Sequence, residues 1–218
     1  MKKLLSTLLL TALFFALPCC TAPEQVDPRI SQLRADVLYS DCQNFKIYAY
    51  LESRENPLEN DGVCGKVENF IIFKIDFGKS QTTFESCSVK FAVLDKEYCG
   101  DFEYKPLTSF LFAHVQVDAL PAEPITVCIS GKDLNETVTL YSIKNESTVS
   151  YNSVLDNLAQ NNQTCKEFLE GDKGEIRIRL IDNDGYDYWY VGLFNGEKII
   201  SFLVDGETCE IIAQKDGV

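Results

Sequence analysis

From residue 36 to about residue 144 the apolar positions recur every second residue, and that period commits the first half of this chain to half-buried β-strands. Phe45, Ile47, Ala49 and Leu51 share one strand face, and Phe70 to Phe77 is a β-branched and aromatic run. Cys87, Val89, Phe91 and Val93 alternate with Ser88, Lys90, Ala92 and Leu94. Ser109 to Val117, then Ile125, Val127 and Ile129, then Thr137 to Ile143 complete the set, with turn-forming segments at 59–62, 78–80 and 120–124 between them.

Six or seven short strands in about 110 residues fit a β-sandwich with an immunoglobulin-like outline. Only the architecture is implied, because the one tryptophan, Trp189, lies far downstream of this segment. Near residue 150 the period changes. Val154, Leu155, Leu158, Cys165, Phe168 and Leu169 recur at helical spacing, interrupted at Asn161 and Asn162; Ser153 with Asp156 resembles a capping box, and Gly171 is a natural stop. Runs at 175–181, 187–194, 198–204 and 208–213 read as strands. Asn195-Gly196 predicts a type I′ hairpin turn, which needs positive φ at both central residues. The expected fold class is therefore mainly β with a small α+β part: an immunoglobulin-like β-sandwich followed by a helix packed on an antiparallel β-meander. The expected boundaries are a leader at 1–22, a linker at 23–35, a sandwich at 36–148 and an α+β module at 149–218, the linker resting on the polar, proline-punctuated run from Ala22 to Pro28.

The helix followed by Tyr188-Trp189-Tyr190-Val191-Gly192-Leu193-Phe194, Phe202-Leu203-Val204-Asp205 and Glu207-Thr208-Cys209-Glu210-Ile211-Ile212 resembles a PepSY-type module, the helix-plus-sheet unit of protease propeptides and envelope proteins. The resemblance covers residues 150–213. That family carries Gly where this chain has Cys209, in a final turn reading Asp-x-x-Thr-Gly-Glu. The resemblance implies a noncatalytic protein-binding or inhibitory module.

Met1-Lys2-Lys3 and the 14-residue apolar run from Leu4 to Leu17 have the build of a secretory signal peptide, and the run is short of the roughly 20 residues a transmembrane helix needs. An uncleaved N-terminal anchor is the alternative. Leu17-Pro18-Cys19-Cys20 resembles a bacterial lipobox in part, which points to lipid attachment at Cys20; cleavage after Cys20-Thr21-Ala22 fits the small-x-small rule and points to plain secretion. The expected location is extracytoplasmic, secreted or lipid-anchored to a cell envelope, with membrane contact only through that lipid or anchor. Seven cysteines follow the leader, at 42, 64, 87, 99, 128, 165 and 209, with no CxxC spacing for zinc. Export favours disulfides, buried free thiols being the other reading. Cys165 continues the helical stripe and Cys209 aligns with Ile211 and Ala213, so these two are the expected pair.

Twenty Lys and Arg against 33 Asp and Glu give a net charge of -13, a field that repels phosphate backbones and excludes nucleic acid as an expected partner. The single histidine, His114, precludes a multi-histidine metal centre, and at an alternating strand position it reads as a packed or surface residue. No nucleophile motif or phosphate-cradling glycine loop is present, and no cofactor is expected. Asp182-Asn183-Asp184-Gly185-Tyr186-Asp187 looks like a calcium loop, but with Gly185 at position six Leu180 and Val191 fall where ligands belong, so a polar turn is expected. The sequons at Asn135, Asn145 and Asn162 carry no meaning in a bacterium, which the leader favours. Tyr186, Tyr188 and Tyr190 share a strand face beside Trp189 and are the expected binding residues. Two functions fit these features: an exported noncatalytic protein that binds a protein or other extracellular ligand, with protease inhibition a special case, or a secreted hydrolase working through Asp and Glu residues.

Overall fold

The computed structural model describes residues 26–217, apart from residues 60, 79–85, 107, 123, 133, 184 and 185. The leader and Cys20 lie outside the described residues, as do Asp184 and Gly185 of the acidic turn. The chain is mainly β with a small α+β part. The first nine strands are β1 (Ile30–Asp41), β2 (Lys46–Glu55), β3 (Val67–Asp76), β4 (Cys87–Val93), β5 (Lys96–Asp101), β6 (Glu103–Lys105), β7 (Phe110–Val117), β8 (Ile125–Gly131) and β9 (Asn135–Ser142). Helices α1 (Tyr151–Asn161) and α2 (Gln163–Glu170) follow, then β10 (Glu175–Asn183), β11 (Tyr186–Phe194), β12 (Ile199–Asp205) and β13 (Ile211–Gly217).

A single sheet runs through both halves in the order β13-β12-β11-β10-β1-β2-β3-β7-β6. Strands β5, β4, β8 and β9 form a second layer, tied back where Leu38 and Tyr39 of β1 pair with Ser142 and Tyr141 of β9. The sandwich core lies between the layers: Ile47, Ala49, Leu51, Ile71, Phe73 and Ile75 face Val89, Phe91, Val127, Ile129 and Leu140. A second core packs Val154, Leu158 and Cys165 of the helices on Ile176, Ile178, Leu180, Trp189, Val191, Phe202 and Val204.

The hinge between the halves is β1. It starts at Ile30, inside the stretch expected to be linker, and pairs in parallel with β10 through Ile30↔Ile176, Leu33↔Ile178 and Arg34↔Arg179. Residues 30–35 escaped the period-two reading because β1 carries two register shifts, one at Ser31 against β10 and one at Ala35 against β2. Each bulge inserts a residue and breaks the alternation of buried positions. Just before β1, Arg29 donates to the carbonyls of Phe168 (2.9 Å), Leu169 (3.0 Å) and Gly171 (2.7 Å), satisfying the end of α2 while pairing with Asp27 at 2.6 Å. The loop from β2 to β3 closes over the start of β10. Its Gly62, at φ +80, sits so close that an added Cβ would lie 2.6 Å from the Gly196 nitrogen, and its backbone N–H donates to Glu175 at 2.8 Å.

Local details depart from the sequence expectations at the helices and at the Asn195-Gly196 turn. The helical segment is two helices, because Asn162 leaves helical geometry at φ -136 to end α1 and its side chain caps α2 at Cys165 N. The first helix is capped by Ser150, whose hydroxyl accepts from Ser153 N at 3.1 Å, three residues before the expected box. At Asn195-Gly196 only Gly196 has positive φ; Asn195 Oδ1 instead accepts from the N–H groups of Glu197 and Lys198, an Asx turn in a four-residue loop. The hairpin with two positive φ values joins β4 and β5 through Leu94 (φ 48) and Asp95 (φ 64).

All seven described cysteines are free thiols. Cys165 and Cys209 both lie in the second core, but Cys209 is not on a strand: it occupies the turn between β12 and β13 at φ 62, so it does not share a strand face with Ile211 and Ala213 as expected. No helix among the described residues is long and apolar enough to cross a membrane.

Candidate functional site

Both covering layers lie on the same side of the long sheet. Leu33 fixes this, because its register partners are Ile178 in the helix-facing core and Ser53, which alternates with Leu51 and Ala49 of the sandwich core. Among the described residues, the opposite side of β7, β3, β2, β1, β10 and β11 carries no second layer. An uncovered sheet face is ordinarily polar, and here it is a mixture of aromatic rings and cations.

The cross-strand register lays these side chains in rows. One row runs Phe70, Glu52, Arg34, Arg179, Tyr190 from β3 to β11, and its neighbour runs Glu68, Arg54, Gln32, Arg177, Gly192. A third runs Phe112, Lys74, Tyr48, Tyr39. Four of the five arginines in the chain, Arg34, Arg54, Arg177 and Arg179, are on this face. Three of them lie over rings, Arg34 at 4.4 Å from Tyr50, Arg54 at 4.8 Å from Phe70 and Arg179 at 4.3 Å from Tyr190. Lys74 sits 4.7 Å from the Tyr48 ring and 4.1 Å from that of Phe110. Cations resting on ring faces hold both groups flat against the sheet. Two buried carboxylates lie among them: Glu52, 1% exposed, accepts from Gln32 and lies 3.6 Å from Arg34, and Glu175, 0% exposed, pairs with Arg177 at 2.9 Å. The Nε atoms of Arg34, Arg54, Arg177 and Arg179 are buried without a hydrogen-bond partner.

The face deepens into a crevice of about 590 Å³ where β1 changes partner. Up to Arg34 its free edge pairs with β10; past the bulge at Ala35 that edge pairs with β9, and β10 diverges. The gap between the diverging strands is lined by Tyr39, Tyr48 and Tyr50, by Arg34, Lys46 and Lys74, and on the far wall by Ile181, Asp182 and Asp187. Tyr39 and Tyr48 lie 4.9 Å apart, and the Tyr48 and Tyr50 rings are parallel within 6°. The Lys74 ammonium makes no ion pair among the described residues, and burial holds it below the usual lysine range against the pull of Asp76 and Asp182. Burial pushes the Tyr39 hydroxyl up to about 12, with Asp41 adding to it. Asp187 is held above the ordinary carboxylate range by burial and by Asp182, Glu207 and Asp36, although the Thr148 hydroxyl donates to it at 2.7 Å.

Tyr186, Tyr188 and Tyr190 are on this face but outside the crevice. Tyr186 is 68% exposed at the start of β11, while Tyr188 and Tyr190 are half-buried. Tyr190 leans over Gly192, where an added Cβ would meet its hydroxyl at 2.8 Å, and that hydroxyl is 3.1 Å from Ser201 Oγ. His114 is an exposed residue of the same face, held below the usual histidine range by partial desolvation and by Arg54 and Lys105. Among the described residues no group of His, Cys, Asp and Glu is arranged to hold a metal ion. The tyrosines of β2 and the lysine of β3 were missed because the strands were read only for their apolar positions; the intervening Lys46, Tyr48, Tyr50, Glu52 and Arg54 carry the signal.

Compared with known protein families, curated proteins and solved structures, the chain matches none.

Proposed function

We propose that this chain is an exported, noncatalytic binding protein of the cell envelope or extracellular medium, and that the uncovered face of its long sheet receives the partner. One observation carries the reading: rings and cations cover a sheet face against which no layer of the described residues packs, and they do so on a chain with a net charge of -13. Aromatic and arginine side chains held flat contribute large contact area at little entropic cost, the composition expected of interaction surfaces. The charged leader and its apolar run support export. Support for a PepSY-like role comes from the β12–β13 turn. Asp205 Oδ1 accepts from the N–H groups of Glu207 and Thr208, and Cys209 takes φ 62 at the position where that family places glycine.

The test is recovery of partners from an envelope fraction by the purified mature protein, compared with Arg179→Ala and Tyr190→Ala, and with Lys90→Ala on the outer side of β4 as control. Recovery lost in the two face variants and kept in the control supports the reading; recovery unchanged in all three removes the face from it. A hydrolase reading is favoured by two observations, the direct pairing of Asp182 with Asp187 across β10 and β11 and the upward push of burial on the Asp187 carboxyl. Turnover of a glycoside substrate that disappears in Asp187→Asn would establish it in place of binding alone.

A further inference from the structure

We infer that the crevice at the fork of β1 is a site for a short acidic saccharide, one or two rings bearing a carboxylate, which deepens the binding reading above and rests on it. Three kinds of group converge on the 590 Å³ space, a volume within the range of small-ligand sites. Tyr39, Tyr48 and Tyr50 present ring faces on which the C–H face of a sugar packs. Arg34 and Lys74 supply positive charge next to those rings, and Lys74 makes no direct ion pair among the described residues. A ligand carboxylate arriving there forms charge-assisted hydrogen bonds to a partly desolvated ammonium. Asp182 and Asp187 on the opposite wall accept hydrogen bonds from hydroxyl groups.

The two aspartates decide between ligand classes. A purely anionic ligand, such as an acidic peptide or a polyphosphate, would place its charges against them and gain nothing from the rings. A neutral sugar would meet the aspartates and the rings but bring no carboxylate to Lys74. An acidic sugar uses all three walls. The net charge of -13 favours a short ligand, since each further negative charge of a long polyanion adds repulsion from the chain as a whole.

The experiment is isothermal titration calorimetry of the mature chain at low salt with three probes: digalacturonate, its dimethyl ester, which keeps the rings and hydroxyls but removes the charge, and the dipeptide Glu-Glu, which keeps charge without sugar rings. Digalacturonate is expected to bind at least about tenfold more tightly than the ester, and the peptide not measurably. Lys74→Gln should abolish the preference for acid over ester, and Tyr48→Leu should weaken acid and ester together. Equal affinity for acid and ester, tighter binding of the peptide, or no heat from digalacturonate at millimolar concentration overturns the assignment. If that happens while envelope partners are still lost in Arg179→Ala and Tyr190→Ala, the ligand class fails and the face stands; if digalacturonate binds and those variants recover partners normally, the crevice stands without the wider face.

Discussion

Replacing Glu175 with Gln tests the joint between the halves, because this carboxylate is 0% exposed and is held by three donors from three parts of the chain. Ser31 Oγ of β1 donates at 2.9 Å, Gly62 N of the β2–β3 loop at 2.8 Å, and Arg177 of β10 at 2.9 Å. Glutamine keeps the shape and one carbonyl oxygen, but it removes the charge, offers an N–H₂ where two donors converge, and leaves the Arg177 guanidinium, 13% exposed, without its carboxylate. Breaking a buried pair from one side costs about 3–5 kcal/mol, where a surface pair would cost less than about 1 kcal/mol. In a chain of this size each kcal/mol moves the melting point by roughly 2–4 °C, so the expected fall is about 6 to 20 °C. Calorimetric melting of wild type, Glu175→Gln, Arg177→Met and the double variant forms a thermodynamic cycle. The two single changes are expected to be strongly non-additive, the double variant recovering part of the loss because no uncompensated charge remains. A fall of less than about 2 °C in Glu175→Gln, or full additivity, would refute the claim that this carboxylate joins the halves.

The β4–β5 turn holds Leu94 and Asp95 at positive φ, with Leu94 82% exposed, so Leu94→Asn with Asp95→Gly should stabilise the protein by about 1 kcal/mol in urea unfolding; no gain would show that the turn is not strained. Burial pushes the Cys87 and Cys165 thiols up to about 11 while Cys99 and Cys128 are exposed, so iodoacetamide at neutral pH should label the second pair and reach the first only on unfolding, as read by peptide mass. Tyr39 loses its proton near 12 in the folded chain against 10.0 when unfolded, so its contribution to stability is complete below pH 10 and is lost as pH rises from 10 towards 12. Tyr39→Phe should flatten that alkaline decline in urea midpoints; an unchanged slope would place the effect elsewhere.

The elements that were legible before the structure are those whose alternation is unbroken. Strands β4, β7 and β8 bury alternate residues, as β2 does from Ile47 to Leu51, and their apolar positions alone define them. Strands β5 and β6 expose most of their residues and left no such trace. The tyrosines of β11 were legible as a shared face by their alternate spacing, with Trp189 and Val191 buried on the other face, but nothing in that spacing tells which sheet the face extends into. Rows that cross from β3 to β11 depend on β1 meeting β10, a pairing between segments about 145 residues apart that no local pattern records.

The residue that hid β1 from the reading is also the one that shapes the crevice. Without the shift at Ala35, β1 would keep one alternation along its length, and Asp36 and Val37 would exchange faces. Val37, fully buried beneath Tyr50 in its register, would then point into the sandwich, and Asp36 would point into the crevice. The bulge also sharpens the local twist, which separates the edge paired with β10 from the edge paired with β9 and opens the gap that Tyr39, Tyr48 and Lys74 line. Without it the strand would follow a simpler rule, and there would be no fork. A departure from strand periodicity at a point where two edges diverge is therefore itself a pointer to a site, and in this chain it lies at residues 34–36, between an arginine and an aspartate that end up on opposite sides of the sheet.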